Sequence, residues 1–390
     1  MQQLEELREK IDDIDKDLTE LFEKRMEIVL KVAKYKKEKN IPILNENREK
    51  EVIKKNLNYL KNEKFKEGLE KFFKDTMDIS RKIQSEETFK QKNNYEEEYK
   101  EEVNSSNKPL KTACLDNIRV GFQGVKGSFS EEALLEYFGS NKNTYNVESF
   151  EDVFKAINND DIDYGVLPIE NSSTGGISDV YDFLRKYGFF IIGEKIIKVN
   201  HNLLGIPGSK LDNITEVYSH IQAFCQSSEF LKKHNDWKCI PYRNTAISAK
   251  YVKEENCKCK AAIGSKNCAE VYGLDIIEGD INYNKNNYTR FIVIGKELEY
   301  DCDCNKISII LALPHKSGAL YNVLSIFAEN NLNMLKIESR PIIGKPWEYY
   351  FYIDFEGNIT MKNVKTALEC IKTNSSYFKI LGNYKLHKMD

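Results

Sequence analysis

Apolar residues from Leu4 onward fall at Leu7, Ile11, Ile14, Leu18, Leu21, Ile28 and Val32, in alternating steps of three and four. That spacing is a helix seam, and it predicts one helix running to about Lys39. No helix breaker interrupts it. At ~1.5 Å per residue such a helix exceeds about 50 Å, more than a domain of under about a hundred residues can cover, so a second chain is expected against it. Two shorter helices follow, one after Pro42 and Asn45, the other from about Phe65 to Gln84 with Leu69, Phe72, Phe73, Thr76 and Ile79 inward. Residues 88–116 then lose periodicity, gain charge and read as a linker after a helical domain over 1–87.

From Ile118 the pattern changes. Strand IRVGF, a glycine-rich turn, helix SEEALLEYF, strand YNVES, helix FEDVFKAI and strand DYGVLPI succeed one another. Helix QAFCQSSEFLKKH, strand WKCIPY, helix NTAISAKYV and strand RFIVIG continue the order. Residues 117–297 therefore read as an α/β region, with ligands expected where strand ends meet helix starts. Over 305–385 strand KISIILAL, helix ALYNVLSIFAENN, strands MLKIESRP and EYYFYIDF, helix MKNVKTALECI and strand YFKILGNY give βαββαβ, the order of a ferredoxin-like α+β unit.

Composition agrees with several domains: 390 residues at 41% apolar content fill two or three cores. A net charge of −3 predicts no nucleic-acid partner. No apolar run approaches the roughly 18 residues of a membrane span. The segment MQQLEELREK is charged where a signal peptide needs an apolar core, so a cytoplasmic location is expected. Nine cysteines without a framework predict reduced thiols. Cys257-Lys-Cys259 and Cys302-Asp-Cys304 lack the usual zinc spacing, and no metal is expected.

The amino-terminal seam should be apolar at position 25 and has Arg25. A buried guanidinium needs an anion, whereas one at the helix edge snorkels to water. Lys36, eleven residues on, returns to nearly the same azimuth, so both cations look into one interior. Ser80 and Gln84 share a face of the third helix, Arg48 and Glu49 open the second, and Arg8 lies about a quarter turn off the Arg25 face. The pattern LREKIDDID…KR…YKK…NENRE…ISRKIQ resembles the all-helical chorismate mutases over nearly the whole of 1–87. That resemblance assigns Arg8 of one chain and Arg25 of the other to the substrate carboxylates, Lys36 and Gln84 to the ether oxygen and Glu49 to the hydroxyl. Arg48 and Ser80 complete the pocket. Asn45 stands where the family usually has Asp. A pericyclic rearrangement requires no nucleophile or base, only orientation of the reactive conformer and fixed charge against the growing ether oxyanion.

The central region offers GFQGVKGSFSEEAL, in which Gly121, Gly124 and Gly127 precede a helix with Ser128 and Glu131 as a capping box, an arrangement suited to anions. LPIENSSTGGI, His201-Asn-Leu-Leu, Ser219-His-Ile-Gln-Ala and Asn244-Thr-Ala follow, each readable alone as a cap or turn. In NYTRFIVIG, Thr289 and Arg290 open a strand, where they serve a sheet edge or a substrate. Taken in order, these motifs resemble the prephenate dehydratases from about Ile118 to Lys296. The resemblance makes Thr289 the catalytic hydroxyl beside Arg290, with Glu170, Asn171, Ser172, His220, Gln222, Thr245 and Ala246 lining a cleft between two lobes. Prephenate loses CO₂ and its ring hydroxyl as the ring becomes aromatic, so a hydroxyl donor suffices and no metal, flavin or nicotinamide is called for.

At the carboxyl end, SGALYNVLSIFAENNLNM and IESRP resemble an ACT domain of the phenylalanine-sensing kind. Gly318, Ala319 and Leu320 at a helix start, with Asn333, Glu338 and Ser339 nearby, are the implied effector site between paired chains. The three resemblances imply a cofactor-free homodimer or higher oligomer that converts chorismate through prephenate to phenylpyruvate and is inhibited by phenylalanine. A dehydratase with a degenerate helical arm and a non-catalytic small-molecule sensor are the alternatives.

Overall fold

The computed structural model describes residues 2–39, 41, 45–92, 117–140 and 142–387, which fall into two compact units, Met1–Ser105 and Ser106–Asp390. The first is all helical. Helix α1 spans Gln2–Glu38, as its unbroken periodicity predicts. Helix α2, Glu46–Leu57, starts where the Asn45 side chain accepts the Arg48 N–H at 3.0 Å. Helix α3 spans Lys66–Lys92 and so enters the stretch expected to be linker, whose remaining residues 93–116 lie outside the described ones. Both α1 and α2 pack on α3, burying Met26, Ala33, Thr76, Met77 and Ser80. Among the described residues the apolar positions of the long α1 seam stay exposed: Leu21 is 61% and Ile28 60% exposed.

The second unit opens with a lobe built on β1 (Arg119–Gln123), β2 (Asn143–Val147), β3 (Tyr164–Asn171), the two-residue β4 (Gly175–Gly176) and β5 (Phe190–Lys198). The chain then crosses to a second lobe of β6 (Asn202–Gly205), β7 (Glu216–Ser219), β8 (Lys238–Pro241), β9 (Lys260–Gly264) and β10 (Asp275–Glu278), in the order β10-β6-β9-β7-β8. It returns as β11 (Tyr288–Gly295), which inserts antiparallel between β3 and β5 to give β2-β1-β3-β11-β5. The helix expected over QAFCQSSEFLKKH is two pieces, Ile221–Gln226 and Ser228–Leu231. Fully buried Ser227 leaves helical geometry between them, at φ −110° and ψ 15°. Cys257 and Cys259 are joined in a disulfide, where reduced thiols were expected.

The carboxyl-terminal strands β12 (Lys306–Ala312), β13 (Met334–Pro341), β14 (Tyr349–Glu356) and β15 (Tyr377–Tyr384) form the antiparallel sheet β13-β14-β12-β15 of the expected ferredoxin-like unit. Strand alternation divides its two faces. Ile307, Ile309 and Leu311 pack beneath helices Ala319–Glu329 and Lys362–Asn374, while Ile310, Tyr352, Leu381 and Tyr384 join Leu167, Leu184, Ile191 and Ile292 in a core shared with the first lobe. Gly382 makes that apposition possible, since a methyl group there would collide with the Ile191 carbonyl oxygen.

Candidate active sites

Between the two lobes, β3 ends in Asn171 and β11 begins near Thr289, and their pairing sets these residues opposite each other. The Asn171 Oδ1 accepts the backbone N–H groups of Ser173 at 2.9 Å and Thr174 at 3.2 Å. Its Nδ2 is thereby turned to donate to Thr289 Oγ at 2.9 Å and Asn287 Oδ1 at 2.8 Å. Since the Thr289 oxygen accepts from Asn171, its own proton is available to another acceptor. Ser172 Oγ accepts the Tyr288 N–H at 2.9 Å and closes the same corner.

Across the cleft, His220 caps helix Ile221–Gln226 through Nδ1, and Gln222 Nε2 reaches back to Thr174 Oγ at 3.1 Å, tying the lobes together. A hollow of roughly 620 Å³ on this side is lined by His220, Ile221, Pro241, Tyr242, Arg243 and Ile247. Asn244 caps the helix that begins with Thr245 and fully buried Ala246. Thr174, Asn287 and Arg243 are members of this region that the sequence reading did not assign. Thr174 carried a local signal, as the last of the dense run of hydrogen-bonding residues Glu170 to Thr174, and so did Arg243, as a cation just before the Asn-Thr-Ala start.

Two expectations change here. Arg290 and Glu170 were placed in the cleft with Thr289 and Asn171, but adjacent residues of a strand face opposite ways. Arg290 points away from the Thr289 hydroxyl and binds Glu170 at 3.0 Å, Asp354 at 2.8 Å and Glu194 at 3.3 Å. Burial opposes ionisation of Glu170, yet the Lys336 hydrogen bond and the Arg290 charge outweigh it and hold the carboxyl below its usual range. The glycine-rich turn also differs from an open anion site. Ser128 accepts the Glu131 N–H, but the Glu131 carboxylate takes the Gly127 N–H at 2.6 Å, so the protein's own anion occupies the helix start and the capping box is only half formed. Gly127 meets the second lobe, where its carbonyl accepts from Cys268 Sγ at 3.0 Å.

In the helical unit, Arg25 donates to Ser80 Oγ and, at 3.5 Å, to the Thr76 carbonyl, which ties α1 to α3. Burial pushes the Arg25 guanidinium below its ordinary value. Ser80 and Gln84 are buried on the same face of α3. Glu49 is held by Arg81, which also pairs with Asp78 and which the sequence offered within ISRKIQ without a role of its own. Arg48 is exposed and pairs with Glu51 at 3.2 Å, while Lys36 is half-buried and Arg8 exposed on α1.

In the carboxyl-terminal sheet, Gly318 has φ +78° and open space where a Cβ would stand. Ala319 and Leu320 follow in the helix. Glu338 lies on the β13 face turned to the first lobe, against Gly176, whereas exposed Ser339 is on the opposite face, so alternation separates them. Asn333 just precedes β13, and its carbonyl accepts the Glu356 N–H at 2.9 Å.

Residues 120–299 match the family model of prephenate dehydratase and residues 7–85 that of chorismate mutase type II. The bifunctional chorismate mutase/prephenate dehydratase of Buchnera aphidicola subsp. Acyrthosiphon pisum is 34% identical over 393 residues, spanning 98% of this chain and 96% of its own. Its counterpart from Buchnera aphidicola subsp. Schizaphis graminum is 36% identical over 387 residues, spanning 97% and 95%. Among solved structures, the prephenate dehydratase of Arthrobacter aurescens in complex with L-Phe is 28% identical with a TM-score of 0.63, covering 69% of this chain and 90% of that one. Helical and two-lobed domains matched in one chain, with relatives aligned over almost their whole length, place this protein in the family of bifunctional chorismate mutase/prephenate dehydratases.

Proposed function

We propose that the chain rearranges chorismate to prephenate in its helical unit and dehydrates and decarboxylates prephenate to phenylpyruvate between its two lobes, with phenylalanine as inhibitor. The observation that carries the second step is the oriented pair of Asn171 and Thr289. Asn171 donates to the threonine oxygen, so the Thr289 proton goes to the departing ring hydroxyl while the carboxylate leaves as CO₂ and its electrons enter the ring. In the first step Arg25, Lys36 and Gln84 hold the dicarboxylate folded and stabilise charge on the ether oxygen, with Glu49 taking the substrate hydroxyl. The exposed seam of α1 supports a homodimer in which Arg8 of the partner completes the pocket. Incubating the protein with chorismate, and following its loss and the appearance of phenylpyruvate, tests both steps; accumulation of prephenate alone sinks the second.

Asn45 serves first as the α2 cap, a task Asp performs equally well. Asn45→Asp therefore keeps or raises the rate of chorismate loss. A fall of more than about tenfold, seen in initial rates, would assign the amide NH₂ a task that a cap does not have.

Phenylalanine at millimolar concentration is expected to slow prephenate turnover, for which a coupling of about 1–3 kcal/mol between sites suffices. Gly318 supports a ligand there, because its positive φ and empty flank leave the backbone open to a small amino acid. Exposed Leu335 and Ile337 on edge strand β13 support pairing with a second copy beside it. Gly318→Leu should relieve inhibition while uninhibited turnover persists. If calorimetry detects no phenylalanine binding to the unmodified protein and turnover is unaffected, the regulatory reading fails.

A further inference from the structure

Thr289 and Asn171 face the cleft, and their neighbours Arg290 and Glu170 face the carboxyl-terminal sheet. Beneath them is a six-membered charge cluster. The lobe supplies Arg290, Glu170 and Glu194; the sheet supplies Lys306, Lys336 and Asp354. Lys306 binds Glu194 at 2.7 Å and Asp354 at 3.6 Å, and Lys336 binds Glu170 at 2.9 Å. Ser308 fixes the other Asp354 oxygen at 2.6 Å and shares a 2.7 Å bond with Tyr384. Among these six residues the lobe has one carboxylate more than its cation and the sheet one cation more than its carboxylate, with the more exposed Glu338 of the sheet approaching Lys336 at 3.9 Å. The side chains of Glu194 and Lys306 are 0% and 5% exposed, so these two charges, one from each half, are sheltered from water and each requires the other.

We infer that Asp354 and Lys306 are positioning residues of the dehydratase site, reaching across from the carboxyl-terminal sheet to hold Arg290 and Glu194 and so set the Thr289 hydroxyl against Asn171. The lever is short. Arg290 is bonded to Thr289 through one peptide, and Glu194 stands on β5, which pairs with β11 along its whole length. Lys336 anchors Glu170 beside Asn171, and farther along β13 Arg340 donates to Ser178 Oγ at 2.7 Å and to Asp182 at 2.8 Å. One strand of the sheet thus grips the segment 170–178 at both ends, and that segment carries Ser172, Ser173 and Thr174.

The inference rests on the dehydratase reading, which turnover of prephenate by the unmodified chain tests by itself. In the full-length protein, Asp354→Asn is expected to lower kcat for prephenate about tenfold with KM changed less than threefold. Combined with Thr289→Ala, it should add less than twofold to the loss, because groups acting through one hydroxyl are not additive. A lone change in a buried charge cluster can unfold the sheet, so the neutral pair Lys306→Met with Glu194→Gln is followed alongside, with melting curves. It too should fold and lose about tenfold in kcat. Wild-type kcat in either folded variant overturns the inference, as does a multiplicative loss in the Thr289→Ala background.

Discussion

Thr289→Ala is expected to lower kcat for supplied prephenate roughly 100-fold or more while KM stays within about threefold, because it removes the proton donor and leaves the groups that line the cleft. The substitution is mild for the fold. Thr289 is already buried between β3 and β5, and alanine fits there without a new polar group. Asn171 keeps partners for its NH₂ in Asn287 Oδ1 at 2.8 Å and the Tyr288 carbonyl at 3.1 Å, so no buried donor is orphaned. Thr289→Ser, which preserves the hydroxyl, should recover much of the rate. Chorismate loss, carried out by the other unit, should be unchanged in both. A fully active alanine variant would return Thr289 to the role of an ordinary strand residue.

The sequence made some parts of this site plain and concealed others for physical reasons. Helix α1 was legible because its seam repeats over 37 residues without a breaker, and the ferredoxin-like order because its strands are separated by long helical patterns. The run RFIVIG announced a strand, but an apolar run fits any central position equally, so its antiparallel place between β3 and β5 was not readable. The motif pairs Glu170-Asn171 and Thr289-Arg290 misled because each was treated as one group, although alternation alone sends the two side chains of each pair to opposite faces. Asp354 and Lys306 had no local signal at all. Each sits in a strand whose pattern names no partner, and its partner in the lobe lies 64 positions away for Asp354 and 112 for Lys306. The break at Ser227 was likewise invisible, since Ser tolerates a helix and is excluded here by tertiary packing.

Arg25→Ala and Lys36→Ala should each reduce chorismate rearrangement by about 100- to 1,000-fold, the scale for losing one fixed donor from a site that works by electrostatic preorganisation. Arg25 is the better defined of the two: its guanidinium lies against Ser80 and Thr76 on α3, so it enters the site already oriented. Burial lowers its pKa, but an arginine remains charged at any pH the enzyme meets. Alanine removes that charge and leaves the Ser80 hydroxyl its bond to the Thr76 carbonyl at 2.6 Å, so α1 and α3 retain their packing. Dehydration of supplied prephenate should proceed at the unmodified rate in both variants, because the helical unit and the two-lobed unit are separate compact bodies. Assaying both reactions on one preparation decides between three outcomes. Selective loss of rearrangement supports a working mutase site. Equal loss of both refutes the division of labour, and an unmodified protein that never consumes chorismate would leave the helices as an arm for pairing chains, with Arg25 and Lys36 free to change without effect.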